Sequence, residues 1–560
     1  MKKIILSSIS LILVAAITVV AFAATTVTSN PKLDEIKNTP YDDGQSFVKG
    51  TKGVSKFNDP EGLKAVDKDK STTWVAAGAN SFTQLTFDKM TSINNIHITE
   101  KSTNVRLYHV DAWNGEEWVK VFNSDSIEGY YVASIDPIKT SALRLWIDKS
   151  WDGGNVEIAE FDASYQRPIE YDREFNHSTY ISSTDYAHDW DNRVNREYMD
   201  NITDIYMIGM AYINVRGELV FGIENTSQTF PFARTLKWDD PDLHHYLYSK
   251  DMSKDMPDEK GKTCNEGQKG YIEFIKSQYG KKSNPRISMC LMTLDKNLAP
   301  NAADGVAASQ LTALQDDTVR AKLVKDLTDF AVAEKLDGID IDWEYPSNEQ
   351  KPTFDKLVIE LGNSLHKVGK QITAAEFTGG GQINKISSPE AIAVLDRINM
   401  MAYDQSGSSA HGNHSSFNGA TVNDIEKYIA KGVPPEKLCL GLAYYGPEQY
   451  KNYYQTLLQQ AEDRGEDKID LGANYILPKH KFNGVYLIRS RTLYAIQRQL
   501  GGIFSFRTAI DLNYNDKPEL RYASLNAAEI DTIDRYVTYK DGVVTKDGVI
   551  KDGVPVPAGE

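Results

Sequence analysis

Between residues 50 and 165 apolar and polar positions alternate in short runs, FTQLTFD, NNIHITE, VRLYHVDAW, WVKVF and SALRLWI, with turn residues between them. Alternation puts every second side chain on one face of a strand, and no helical stripe intervenes, so this region predicts an antiparallel β-sandwich. From about residue 170 to 525 the pattern changes. Apolar runs, TYISST, DIYMIGMAYI, RISMCLMTL, GIDIDWEY, QITAAEF, RINMMAY, LCLGLAYYG and GGIFSF, alternate with helical stripes such as TVRAKLVKDLTDFAVAEK and FDKLVIELGNSLHKVG. Near-continuous apolar runs suit strands covered on both faces. Eight of them with helices between predict an α/β fold, a (β/α)8 TIM barrel with loop insertions, preceded by the sandwich. The remainder, 526–560, opens with a helix (AAEIDTIDRYV) and ends in repeated Lys-Asp-Gly-Val phrases. Asp-Gly pairs favour tight turns, so this end reads either as a small hairpin or as a flexible tail.

The N-terminus adds a location. Lys2 and Lys3 precede an apolar run that closes on Ala21-Phe22-Ala23, the small-x-small form of a signal-peptidase site, so residues 1–23 read as an export signal and 24–49 as a linker. A membrane anchor is the other reading, and Ser7, Ser8 and Ser10 interrupt the run it would need. The expectation is a secreted or periplasmic protein, free of the membrane once cleaved. A length of 560 residues calls for more than one domain. The net charge of −16 argues against nucleic acid as a partner, because a phosphate backbone requires clustered Lys and Arg. Cys264, Cys290 and Cys439 can form at most one disulfide, and the apolar surroundings of Cys290 and Cys439 point to buried thiols. No cofactor or metal is expected: His244-His245 and His411-x-x-His414 fall in polar, loop-like segments.

The chemistry concentrates in Asp337-Gly338-Ile339-Asp340-Ile341-Asp342-Trp343-Glu344-Tyr345-Pro346. On a strand, Asp340, Asp342 and Glu344 share one face, while Ile339, Ile341 and Trp343 share the other. Three carboxyls crowded inside a barrel cannot all ionise, so at least one pKa must rise. Glu344 stands nearest the C-terminal end of the strand, where barrel enzymes place their chemistry, and a carboxyl kept protonated there can act as a general acid.

This phrase resembles the Asp-Gly-x-Asp-x-Asp-x-Glu signature of glycoside hydrolase family 18, which holds chitinases and endo-β-N-acetylglucosaminidases. The resemblance implies Glu344 as acid/base, Asp342 as the group that orients the substrate's acetamido and stabilises the charged ring, and Asp340 as the residue that holds Asp342. It implies a retaining, substrate-assisted reaction in which the N-acetyl oxygen attacks the anomeric carbon, so that no enzymic nucleophile is needed. Met401-Ala402-Tyr403-Asp404 resembles the family's Met-x-Tyr-Asp motif, implying that Tyr403 bonds the acetamido carbonyl, that Asp404 bonds a sugar hydroxyl and that Met401 lies in the same subsite. KLCLGLAYYG is similar to the seventh strand and brings Tyr445 to the cleft. Two departures stand out. RISMCLMTLDKN replaces the usual Ser-x-Gly-Gly of the third strand, and Phe506 stands where a Trp normally floors the cleavage subsite.

The short stretch between LAYYG and GGIFSF leaves little room for the α+β insertion of many processive chitinases, which points to a shallower cleft and endo action. The implied partners are chitin, chitin oligosaccharides or other N-acetylglucosamine-containing glycans. Two other functions stay open: an endo-β-N-acetylglucosaminidase of N-linked glycans, and a non-catalytic chitinase-like lectin. In the sandwich, DKDKSTTWVAA, DAWNGEEWVKV and RLWIDKSWDGGNVEIAEFDAS resemble a discoidin-type (factor five/eight type C) domain, which implies a carbohydrate-binding module. Taken singly, Trp74, Trp113, Trp118 and Trp146 read as core residues of that sandwich, glycan contact being the other reading.

Overall fold

A computed structural model describes residues 52–55, 60–182, 194–223, 234–251, 269–279, 284–295, 304–379, 387–405, 409–446 and 483–556. The export signal and linker, Cys264, and most of the stretch between LAYYG and GGIFSF lie outside the described residues.

The N-terminal region forms a seven-stranded antiparallel sheet, as the alternation predicts. Two long strands, Ser81–Glu100 and Tyr130–Ser150, pair along their length, with irregularities between Thr86 and Thr91 and between Ile93 and Asn95. One half of this ribbon continues into Val105–Trp113 and Trp118–Ser124, the other into Val156–Ser164, so the two long bulged strands join both flanks of one sheet. The inner face is aliphatic and aromatic: Leu85, Ile96, Ile98, Val110, Leu145 and Phe161 are all buried. Of the four tryptophans read as core, Trp74 alone is buried (2% exposed). Trp113, Trp118 and Trp146 lie half-buried on the opposite parity, with Phe82 and His109 paired across from Trp146 and the Arg144 guanidinium 3.8 Å from the Trp118 ring centroid. Alternation gives parity, and here Leu143, Leu145 and Ile147 occupy the inward one.

The barrel strands are β1 (Asn176–Ser182), β2 (Asp204–Ile213), β3 (Arg286–Thr293), β4 (Gly338–Asp342), β5 (Gln371–Phe377), β6 (Arg397–Met401), β7 (Leu438–Ala443) and β8 (Gly502–Phe506). Each pairs in parallel with the next, and β8 pairs with β1, closing the ring. The predicted strands are all present. One element was not read from the pattern: a hairpin arm, Leu219–Ile223 and Arg234–Lys237, extends antiparallel from the end of β2. At the lower rim, burial pushes the Asp204 carboxyl up, but Arg397 and Arg286 outweigh it and hold the pKa at about 2. Gly338 opens β4 because a Cβ there would stand 2.7 Å from the Gln371 carbonyl oxygen and 2.9 Å from Ser288 Oγ. The thiols of Cys290 and Cys439 are free and buried, as expected.

Helix Leu525–Tyr536 follows β8 and returns to the barrel, where buried Glu529 accepts from Tyr198 and Tyr444 and pairs with His177 of β1 at 2.9 Å. Val537–Tyr539 then pairs in parallel with Ile169–Tyr171, the segment that joins the two domains. The tail forms a small three-stranded sheet, Val544–Thr545, Gly548–Lys551 and Val554–Val556, the hairpin alternative of the two.

The domains share one continuous core. Tyr131 stacks edge-on against Phe417 at 5.3 Å and Phe122 against Tyr486 at 4.6 Å. From helix Val485–Gln497, fully buried Arg491 donates to Ser415 Oγ and to the carbonyls of Ala402 (2.9 Å) and Gly441 (2.8 Å), tying the ends of β6 and β7 together. Arg491→Met removes these donors and strands the buried acceptors. Chemical denaturation should show a loss of about 3 kcal/mol or more.

Candidate active site

The acid column is built by β4 in parity with its neighbours. Asp340 points into the barrel interior, where Oδ2 accepts from Tyr180 of β1 at 2.8 Å, and Oδ1 accepts from Thr373 of β5 at 2.5 Å and from Asn399 of β6 at 3.2 Å. Burial raises its pKa, and these donors counter the rise. Asp340 thus sits beneath the cleft as an anchor. Ile339 and Ile341 face the helices, and Trp343 is buried with its indole N–H donating to the Ala308 carbonyl at 2.9 Å.

One level up, Asp342 is 3% exposed and lines a cavity of about 360 Å3 at the C-terminal mouth of the barrel. Burial, then the charges of Glu344 and Asp340, push its pKa well above the carboxylate range. Glu344, just past the end of β4, opens into the same cavity and is reached by solvent, yet dense protein surrounds it. That crowding raises its pKa; hydrogen bonds from Tyr345 and Asp342 lower it, and the Asp404 charge raises it. Two acids in hydrogen-bond contact do not both ionise, so the pair titrates as a unit that keeps a proton between them. Asp342 Oδ1 is buried and has no hydrogen-bond partner among the described residues, a polar atom that its protein surroundings leave unmet.

Tyr403 and Asp404 follow β6. Tyr403 is buried against the cavity, which keeps its hydroxyl protonated. Asp404 has φ +55° and accepts from the Tyr445 hydroxyl at 2.7 Å. Its backbone N–H lies 3.0 Å from His414 Nδ1, which also stands 3.1 Å from Asp404 Oδ1, while His414 Nε2 donates to the Tyr445 carbonyl at 3.0 Å. Phe506 lies 5.9 Å from the Tyr180 ring and 6.1 Å from those of Tyr403 and Tyr445, and Met401 closes the same wall. Asp342, Glu344, Met401, Tyr403, Asp404, Tyr445 and Phe506 therefore meet at one cavity, with Asp340 below it. Where the third strand departs from the family pattern, Met292 and Thr293 form the wall.

Several site residues escaped the sequence reading. His414, placed in a polar loop from its neighbours, is buried and holds Asp404. Tyr180 anchors Asp340 and could have been found from the inward parity of TYIS. Tyr345 hydrogen-bonds Glu344 and, with Phe377, lines the cavity. Since that bond lowers the Glu344 pKa, Tyr345→Phe should let Glu344 hold its proton to higher pH. The alkaline limb of kcat/KM, which reports groups of the free enzyme, is expected to move up, with thermal stability unchanged.

A closed parallel barrel with a hydrogen-bonded carboxyl pair at its C-terminal mouth, walled by aromatic rings, places acid–base groups where barrel enzymes carry their chemistry. Over residues 302–511 the chain matches the family model described as Glycosyl hydrolases family 18. Endochitinase 1 of Metarhizium robertsii is 35% identical over 132 residues, covering 20% of this chain and 31% of that protein. Probable chitinase 2 of Drosophila melanogaster is 26% identical over 214 residues, covering 36% of this chain and 41% of that protein. The alignments thus span less than half the length of these curated relatives. Among solved structures, a family 18 chitinase of Flavobacterium johnsoniae aligns over 66% of this chain and 96% of its own, at 21% identity and a TM-score of 0.44. The chain is thus similar to family 18 glycosyl hydrolases over residues 302–511 and to chitinases over shorter alignments.

Proposed function

We propose that this protein is a retaining, substrate-assisted, endo-acting hydrolase of β-1,4-linked N-acetylglucosamine polymers or oligomers. The observation that carries the reading is the hydrogen-bonded Asp342–Glu344 carboxyl pair, both raised in pKa by burial, at a cavity that Tyr403 also lines. In that cavity the acetamido N–H of the substrate donates to Asp342, and the Tyr403 hydroxyl donates to the acetamido carbonyl. Glu344 gives its proton to the glycosidic oxygen as that bond breaks, and the carbonyl oxygen closes on the anomeric carbon. A water then adds to the anomeric carbon, returning a proton to Glu344 and restoring the acetamide, so the configuration is retained. The tethered nucleophile supplies the proximity that a second enzymic carboxylate would otherwise provide.

Endo action follows from the short connection between LAYYG and GGIFSF. We also infer that the N-terminal β domain is a discoidin-like glycan-binding module and that residues 1–23 direct export, on the motifs that carry those resemblances. The test is product analysis on defined N-acetylglucosamine oligomers with the anomer followed by NMR at early times. The expected result is internal cleavage with the β-anomer formed first. Initial α-anomer would reject substrate assistance, dimers released from one end would reject endo action, and cleavage confined to a high-mannose glycoprotein would move the substrate to N-linked glycans. Glycan binding with no turnover would make the protein a lectin.

A further inference from the structure

Resting on that hydrolase reading, we propose that the β domain is a positioning part of the active site, in which Glu128 and Trp151 clamp the loop after β6 so that His414 holds Asp404 in the cleft. Tyr403 and Asp404 follow β6, and among the described residues of this loop Ser409–His411 lie against the β domain. There the Glu128 carboxylate accepts twice, from Ser409 Oγ at 2.8 Å and from the Ala410 backbone N–H at 3.1 Å. His411 Nε2 donates to the Thr103 carbonyl at 2.6 Å, and its ring stacks on Trp151 with centroids 4.1 Å apart and planes 16° from parallel. On the return limb, Asn418 Nδ2 donates to the Glu128 carbonyl at 2.9 Å. Between these anchors lies His414, which bonds Asp404 and Tyr445 at once.

The β-domain side is held by contacts of its own. Glu100 Oε2 accepts from the Glu128 N–H at 3.0 Å, while its Oε1 accepts from Asn104 and Val105, so the two turns that carry Glu128 and Thr103 are bound to one carboxylate. Glu128 sits at φ +53° and Gly129 at φ +112°, a backbone course that aims the Glu128 side chain across the domain boundary. Arg106 lies 4.5 Å from the Trp151 ring centroid and steadies the platform for His411. A merely tethered binding module would show none of these contacts with the loop that follows Asp404. Domain boundaries inside one chain are usually mobile, and here the polar clamp adds to a shared core.

Asp404 is the point at which the clamp reaches the chemistry. Glu344 is faced by Asp342, Tyr345, Tyr403 and Asp404, with Asp295 and Arg507 on the same cavity wall. The Asp404 charge favours the protonated acid, so a loosened loop lets the Glu344 pKa fall, and a general acid with a lower pKa loses activity at lower pH.

The experiment uses the full chain as Glu128→Ala and His411→Ala, one variant on each side of the boundary, with Lys120→Ala on an exposed strand position as control. Hydrogen–deuterium exchange at amides 404 and 409–418 is expected to quicken about tenfold or more in both variants, independently of any substrate. On N-acetylglucosamine oligomers, kcat/KM should fall about tenfold and its alkaline limb should move to lower pH. Glu128→Gln, which keeps one acceptor oxygen, should fall between. Exchange and pH limb identical to the parent in both variants would overturn the clamp. A parent that hydrolyses no such oligomer would instead overturn the hydrolase reading, and the exchange experiment would still decide the clamp.

Discussion

Glu344→Gln lowers kcat on N-acetylglucosamine oligomers by about 10²- to 10⁴-fold, with KM changed little. The amide preserves the shape and most of the polarity of the side chain, so ground-state binding survives, but it has no proton to pass to the leaving oxygen. Steady-state kinetics on a chromogenic oligomer read the effect directly, and the same variant should still bind chitin oligomers in a calorimeter. Activity within a few-fold of the parent would remove Glu344 from the acid role and, with it, the mechanism built on the β4 column. The open cleft position of Glu344 keeps the change from being a packing defect, so a lost fold is not the expected cause of a lost rate.

Asp342→Ala is the second large effect, about 10²- to 10³-fold in kcat, because the group that meets the acetamido as charge develops on it is gone. The pH profile separates this role from simple crowding. Asp342 donates to Glu344 and thereby lowers the Glu344 pKa. Alanine deletes that donor, so the alkaline limb of the residual activity should move up. Asparagine keeps a donor, and Asp342→Asn should hold the limb near that of the parent while losing the rate. Equal limbs in the two variants would show that Asp342 does not hydrogen-bond Glu344 in the working enzyme.

The barrel was legible because parallel strands covered on both faces appear as uninterrupted apolar runs, and each of the eight announced itself that way. The acid column was legible for the opposite reason: Asp340, Asp342 and Glu344 break such a run at alternate positions, a pattern that burial alone would never favour. What stayed hidden depends on convergence from distant segments. His414 lies amid His411, Asn413 and Ser415, polar company that reads as solvent-exposed, and only the approach of Tyr445 from β7 makes it an interior residue. Tyr180 gains its meaning from Asp340, far along the chain. The outward turn of Trp113, Trp118 and Trp146 was hidden by symmetry, since alternation is the same pattern whichever parity faces in.

The parallel pairing of Val537–Tyr539 with Ile169–Tyr171 sets the order in which the chain can be knitted. A growing polypeptide has no ring to shut until β8 exists, and His177, Tyr198 and Tyr444 wait for Glu529, which is made later still. β1 has β2 to pair with at once, but its other edge stays open until the chain reaches Gly502, and the helix and short strand that cover this seam come last in chain order.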